Sequence, residues 1–306
     1  MAYVSLIFVV VVLYVLASRH FPDQLTAWGL RAERWHSGLT LRQAQVGSFA
    51  IPYLEGGSGE PLMLIHGFAG DKDNFTRVAR FLTPHYRVLI PDLPGFGDAG
   101  RDPEARYMMA DQVERLHTFL TQLGIAKVHL GGNSMGGFIA AQFAATYPAM
   151  VGSVWLIDAA GTLASHDTPI LQHYLATGEM PLLLKDERDF GALLSATTHR
   201  RPFMPGFAQT SLGRRGVADL ALHTAILRQL TDSPTLESQY RELATPAFVV
   251  WGAQDQILSP NGAATFVELF PRSQRKIMDG IGHLPMAEAP EESAMDYLAF
   301  RRSLAA

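Results

Sequence analysis

An α/β fold is the class this sequence predicts: a mostly parallel sheet with helices on both faces. Three observations predict it. Short apolar runs rich in β-branched residues alternate with helical patterns. The runs are apolar almost throughout rather than at every second residue, as befits strands covered on both faces. Residues able to do chemistry, His66, Ser134, Asp255 and His283, each follow one of these runs. In a parallel sheet the loops at strand C-termini converge on one edge, where ligands bind.

The elements are justified in chain order. Residues 1–17 are apolar except for Ser5. As a helix they span roughly 25 Å, close to the hydrocarbon thickness of a bilayer. A cleaved signal peptide is the rival; Val15-Leu16-Ala17 could pass for its cleavage site, but no basic residue precedes the apolar stretch. The expectation is a retained transmembrane anchor over residues 1–19. Basic residues occur only after the apolar stretch 1–17, from Arg19 onward, which weakly orients the main domain to the cytoplasm and leaves its side of the membrane undecided. Leu25, Trp28, Ala32 and Trp35 then recur at helical spacing beside Arg31 and Arg34. This predicts a juxtamembrane amphipathic helix over residues 20–38. It either lies on the membrane surface or packs on the domain behind it.

Residues 49–54 read as an early strand, and Gly56-Gly57-Ser58-Gly59 as the turn after it. Strands follow at residues 61–65, 86–90, 127–131 and 151–157, and later at 247–251 and 274–278. Val113, Leu116, Leu120 and Leu123 mark one helical face, residues 138–147 suit a helix, and Pro290 opens the last helix. Between residues 160 and 243 the alternation breaks. The stretch is helical in pattern, with apolar clusters around Ile170, Met180 and Phe203. A structureless loop of that length is not expected in a compact domain. The division predicted is therefore a core of residues 39–159 and 244–306 with a helical lid inserted at 160–243.

Composition excludes some functions. The chain has 306 residues, no cysteine and a net charge of -4. Disulfides, thiolate nucleophiles and cysteine metal sites are ruled out, and the charge gives no case for nucleic acid. The histidines show no H-E-x-x-H spacing, and no glycine-rich loop carries the lysine of a phosphate site.

The chemistry centres on Gly132-Asn133-Ser134-Met135-Gly136, a G-x-S-x-G sequence between an apolar run and a helical pattern. Such a turn exposes a serine hydroxyl above the sheet. A serine needs a base, and His283 in Gly280-Ile281-Gly282-His283 is the candidate. A carboxylate must fix the tautomer of that histidine. Asp255 is favoured for its sequence context, and Asp158 is a rival because it follows the strand after the serine. Asp92 is assigned to its own turn, an Asx-type role, and His66 to structure. The oxyanion donors expected are the backbone N–H groups of Met135 and Phe68.

Taken in order, His66-Gly67-Phe68-Ala69-Gly70, the Gly132 to Gly137 elbow, Trp251 to Asp255 and Gly280 to His283 resemble the α/β-hydrolase superfamily. The resemblance runs from Phe49 to the C-terminus and implies a mostly parallel eight-stranded sheet. Within it the chain is most similar to membrane-anchored monoacylglycerol lipases and bacterial phospholipases A and lysophospholipases. It implies Ser134, Asp255 and His283 as a catalytic triad, Phe68 and Met135 as oxyanion donors, and no metal or organic cofactor. It also implies a lipid ester as substrate, a fatty acid as product and the bilayer as partner. Hydrolysis of small soluble esters or of carbon–carbon bonds is the enzymatic alternative. A hydrolase-fold receptor or scaffold is the non-enzymatic one. The sequence leaves the oligomeric state open, a homodimer included.

Overall fold

A strand order of β1-β2-β4-β3-β5-β6-β7-β8 sets the architecture of this computed structural model, which describes residue 12 and residues 14–304. The strands are β1 (Leu39–Val46), β2 (Phe49–Gly56), β3 (Pro61–Ile65), β4 (Arg87–Pro91), β5 (Val128–Asn133), β6 (Val151–Ile157), β7 (Ala247–Gly252) and β8 (Ser273–Met278). β1 and β2 are antiparallel to each other, and β2 to β4. From β4 to β8 every pairing is parallel.

Neighbouring residues on one strand face opposite sides of a sheet. Met63 and Ile65 accordingly join one core cluster and Leu62 and Leu64 the other. α1 (Pro22–His36) precedes the sheet. The helices that cover its two faces follow strands in sequence: α2 (Thr76–Leu82), α3 (Met109–Gln122) and α4 (Met135–Thr146), and after residue 243 α10 (Gly262–Leu269), α11 (Pro285–Glu288) and α12 (Pro290–Ser303). Val113, Leu116 and Leu120 of α3, most of α4, and Phe266 of α10 cover one face. Val78 and Leu82 of α2, with Tyr297 and Phe300 of α12, cover the other. The stretch expected as a lid holds the remaining helices: α5 (Pro169–Thr177), α6 (Phe190–Thr197), α7 (Gly206–Ala218), α8 (Leu220–Asp232) and α9 (Leu236–Gln239).

β1 completes the eight strands, and the elements read along the chain did not include it. Only its end residues, Leu39 and Val46, are buried. An edge strand with one wet face needs no apolar run, so its sequence carries none. The anchor expected over residues 1–19 falls mostly outside the described residues. Residues 14–20 are helical, and among the described residues no helix is long and apolar enough to cross a membrane.

The helix expected over residues 20–38 is α1. It buries Pro22 and Thr26, while Trp28 and Trp35 are 64% and 81% exposed. The tryptophans therefore do not pack on the domain. A forked ion pair from Arg34 to Asp73, 2.7 and 2.5 Å long, holds the helix instead. Ser37 Oγ adds a bond to the Thr76 carbonyl at 2.8 Å.

Asp73 belongs to the loop Asp71-Lys72-Asp73-Asn74 after β3, and there the structure departs from expectation. Lys72 is fully buried. Its Nζ donates to Asp92 at 2.8 Å and to Asp98 at 2.6 Å, and its backbone N–H donates to Asp92 at 2.7 Å. Burial works against the ammonium charge, but Asp92 and its neighbours outweigh it and hold the group above its ordinary pKa. The turn role expected of Asp92 is thus only part of its work. Its carboxylate accepts from Asp98 N–H at 2.7 Å, within its own loop but six residues on rather than the two of an Asx turn, and it also neutralises a lysine twenty residues away in sequence. Lys72→Met would leave Asp92 charged and unpaired in the core. Such losses cost about 3–5 kcal/mol, so chemical denaturation should show a destabilisation of that order. A change under about 1 kcal/mol would mean the pair is not worth what breaking a buried ion pair costs.

Candidate active site

Ser134 stands between β5 and α4 with φ 55° and ψ -120°, a left-handed conformation that non-glycine residues adopt only when their surroundings impose it. Here close approach imposes it. A Cβ on Gly132 would lie 2.1 Å from the Gly136 carbonyl oxygen, and one on Gly136 would lie 2.1 Å from that of Ile65. Only glycines let β3, β5 and the start of α4 come this close. Ser134 N–H donates to the Ile157 carbonyl at 3.0 Å, and its own carbonyl accepts from Gly137, Phe138 and Ala160. The turn is tied on both sides.

His283 and Asp255 meet. His283 Nδ1 lies 2.7 Å from Asp255 Oδ2, and both residues are buried. Asp255, on the loop after β7, also accepts the N–H groups of Ile257 at 2.8 Å and Leu258 at 3.1 Å through Oδ1. Its carboxylate is therefore oriented before it meets the histidine. With Nδ1 engaged, Nε2 is the nitrogen left for a substrate-side partner. Asn133, next to Ser134, joins the two halves of the site. Its Nδ2 donates to the Ile157 carbonyl at 3.2 Å and to the His283 carbonyl at 3.0 Å.

Two positioning groups went unread in the sequence. Asn133 is one, concealed inside the elbow motif as its variable position. Glu288 is the other. Its carboxylate accepts from Gly282 and Leu284 on the histidine loop and from His199 and Arg200 at the end of α6. His283 N–H reaches the same segment, donating to the Thr197 carbonyl at 3.0 Å. One side chain thus ties the segment after α6 to the histidine loop. The glutamate before Ala289-Pro290 was the visible signal, but its partners ninety residues back were not.

The residues proposed for oxyanion binding lie beside the serine. Met135 is the first residue of α4, and an N–H in the first turn of a helix has no intrahelical acceptor. Phe68 follows Gly67, where an added Cβ would sit 3.1 Å from Ser134 Cβ. The loop backbone therefore passes directly over the serine. His66 anchors that loop. Nε2 accepts from Leu93 N–H at 3.0 Å and Nδ1 lies 2.8 Å from the Gly67 carbonyl. Both bonds together require the neutral ring with its proton on Nδ1. Burial pushes its pKa down to about 4, so it stays neutral, which matches the structural role expected of it.

Asp158, the rival acid, does not hold the histidine nitrogen. It is fully buried behind Asp255. One ligand atom each from Asp158, Asp255 and His283 lie within 4.8 Å of one another, the metal-like constellation found among the described residues. The Asp255 oxygens and His283 Nδ1 are already engaged by one another and by backbone N–H groups. That leaves a poor donor set for a cation. In front of Ser134 opens a narrow apolar cavity between core and lid, lined by Phe68, Phe138, Leu171, Met180, Leu227 and Ile257 among others.

Comparison with known proteins agrees with this architecture. The profile described as alpha/beta hydrolase fold matches residues 60–290. Lipase 1 of Psychrobacter immobilis is 37% identical over 284 residues, covering 90% of this chain and 89% of that protein. Monoacylglycerol lipase ABHD6 of Mus musculus is 28% identical, covering 78% of this chain and 75% of its own length. Among solved structures, that of a membrane phospholipase A, described as a bacterial virulence factor, superposes with a TM-score of 0.89. It is 38% identical and 99% of each chain is covered. With a family profile over most of its length and relatives this similar along nearly all of it, the chain belongs to the alpha/beta hydrolase fold family, as a serine ester hydrolase.

Proposed function

We propose that this protein cleaves carboxylic esters of lipids at a membrane surface, through an acyl-enzyme on Ser134. The observation that carries the reading is the buried 2.7 Å bond from His283 to Asp255, set beside a serine held at φ 55° at the mouth of an apolar cavity. Ser134 Oγ attacks the acyl carbonyl while His283 Nε2 takes its proton. Asp255 fixes the tautomer and stabilises the imidazolium. The N–H groups of Met135 and Phe68 stabilise the oxyanion of the tetrahedral intermediate. His283 returns the proton to the leaving alcohol. Water, deprotonated by the same histidine, then releases the fatty acid.

The lipid part of the proposal rests on three supports. The cavity wall is aliphatic and aromatic, which suits an acyl chain. The relatives are named lipases, and the structural neighbour a membrane phospholipase A. Finally, Tyr14, Leu16, Phe21, Trp28 and Trp35 are exposed along the N-terminal helices, continuing the apolar sequence of residues 1–13. Exposed aromatic side chains near arginines are what an interfacial helix presents to headgroups. Tyr14 meets Phe207 of α7 edge-to-face at 6.4 Å, so the same surface adjoins the lid. A membrane-held enzyme meets its partitioned substrate at a raised local concentration.

Asp255→Asn should lower kcat by up to roughly 10⁴-fold through loss of the correct tautomer. A larger loss in Asp158→Asn would move the acid role to Asp158. Removing residues 1–17 should release the protein from the membrane pellet and leave short-ester hydrolysis unchanged. The truncated protein should keep weak binding to lipid vesicles, and Trp28→Ser with Trp35→Ser should remove it. Unchanged vesicle binding in that double variant would place the membrane contact elsewhere. For the substrate, lipid profiles of membranes carrying the active protein should be compared with those carrying Ser134→Ala. Depletion of a glycerolipid class with release of fatty acid is expected; identical profiles would contradict lipid hydrolysis.

A further inference from the structure

Asp158 is a buried ionisable side chain that the proposed chemistry does not use. It follows β6 with a left-handed backbone, φ 44°, and is fully buried. Its N–H donates to the Val250 carbonyl at 2.9 Å, and its Oδ1 accepts from Gly252 N–H at 2.9 Å. Oδ2 is sealed from solvent with no donor reaching it. The carboxylates acting on it are Asp255, from the loop after β7, and Glu288, from the segment after β8. His283 of that segment faces it too, with a ring nitrogen within 4.8 Å, but its Nδ1 is already engaged by Asp255. An ionised carboxylate with a bare buried oxygen and acidic neighbours is strongly disfavoured.

A carboxyl oxygen of Asp158 lies within 4.8 Å of one of Asp255, and two carboxyl groups this close disfavour each other's ionisation in a dry site. The competition for the negative charge is unequal. Asp255 accepts from Ile257, Leu258 and His283, whereas Asp158 accepts only from Gly252. Three donors against one leave the proton on Asp158. Burial, and next the Asp255 carboxylate, push the Asp158 carboxyl well above the usual carboxylate range.

We propose that Asp158 is kept as a neutral carboxylic acid that donates its Oδ2 proton to the Asp255 carboxylate. It is a positioning residue. It touches no substrate, but it fixes the plane of the carboxylate that in turn fixes His283. This inference rests on the reading of Ser134, Asp255 and His283 as a triad. A proton is also the simplest answer to the orphaned oxygen, since the groups that would complete a cation site are already engaged.

The test uses the full-length protein in detergent. Infrared spectra at pH 7 should contain a protonated-carboxyl band that Asp158→Asn lacks. Stability gives a second readout. A carboxyl whose pKa is raised by folding takes up a proton on folding, so its contribution is lost as pH rises above the unfolded value of about 4. Above about pH 4 the wild-type unfolding constant should rise with pH relative to Asp158→Asn, by up to about tenfold per pH unit, until Asp158 ionises in the folded protein. In activity, Asp158→Leu should lower kcat about 10- to 100-fold with KM little changed, the scale of a hydrogen bond to a charged group. Asp158→Asn can donate but not ionise, and should recover most of that loss. A missing band, or a stability difference flat with pH, overturns the proposal and leaves the triad reading standing. If Ser134 in the wild type fails to react with a fluorophosphonate while the infrared band is present, the triad reading has failed instead.

Discussion

The hydrogen bond between His283 Nδ1 and Asp255 Oδ2 is the constraint on which the site depends. It joins two loops that leave adjacent parallel strands, β7 and β8. The sheet register delivers both loops to one edge, and burial of both side chains excludes the water that would weaken the bond. Ser134 arrives at the same edge from β5, two positions from β7 and three from β8 in the strand order. Asn133 then closes the circuit, bonding the backbone on either side. Each contact is modest alone. Together they hold three distant stretches of chain in one geometry, which is what preorganised catalysis requires.

Around this centre the chain uses charge to fasten the surrounding segments to the core. Glu288 ties the end of α6 to the histidine loop. Arg101 pairs with Asp219, between α7 and α8, at 2.6 Å. Arg215 of α7 pairs with Asp98, which also accepts from the buried Lys72. Lys72 lies on the loop that follows Phe68, and Asp73 beside it carries the ion pair to α1. The loop that carries Phe68, the inserted helical stretch and α1 therefore share one chain of ionic contacts. Exposed pairs contribute little individually. The buried Lys72–Asp92 pair at its middle is the member whose loss would be felt.

Much of this was legible in the sequence, and the reasons are physical. Parallel strands buried on both faces must be apolar throughout, so β3 to β7 announce themselves. The elbow is legible because close approach demands glycine at 132 and 136. β1 is illegible because a wet edge strand needs no pattern. In the lid, periodicity marked helices but not how five of them would cross the core. Phe203, read as part of an apolar cluster, is 82% exposed, because nothing in a local pattern says which side of a helix or loop the rest of the chain will cover. The sequence offered two aspartates at strand ends and favoured Asp255, the one that meets the histidine, without excluding Asp158. The choice depends on the relative depth of two loops. Lys72 is the clearest case of tertiary override: lysine is almost never fully buried without a partner, and its partner Asp92 lies beyond the next strand.

The account stands or falls on Ser134 being an activated nucleophile. Reaction of the intact protein with a fluorophosphonate ester, followed by mass spectrometry of its peptides, measures that directly. The account predicts one adduct per chain, on Ser134, with none in Asp255→Asn on the same timescale. A wild-type protein that stays unmodified, or carries the adduct on another residue, would contradict it.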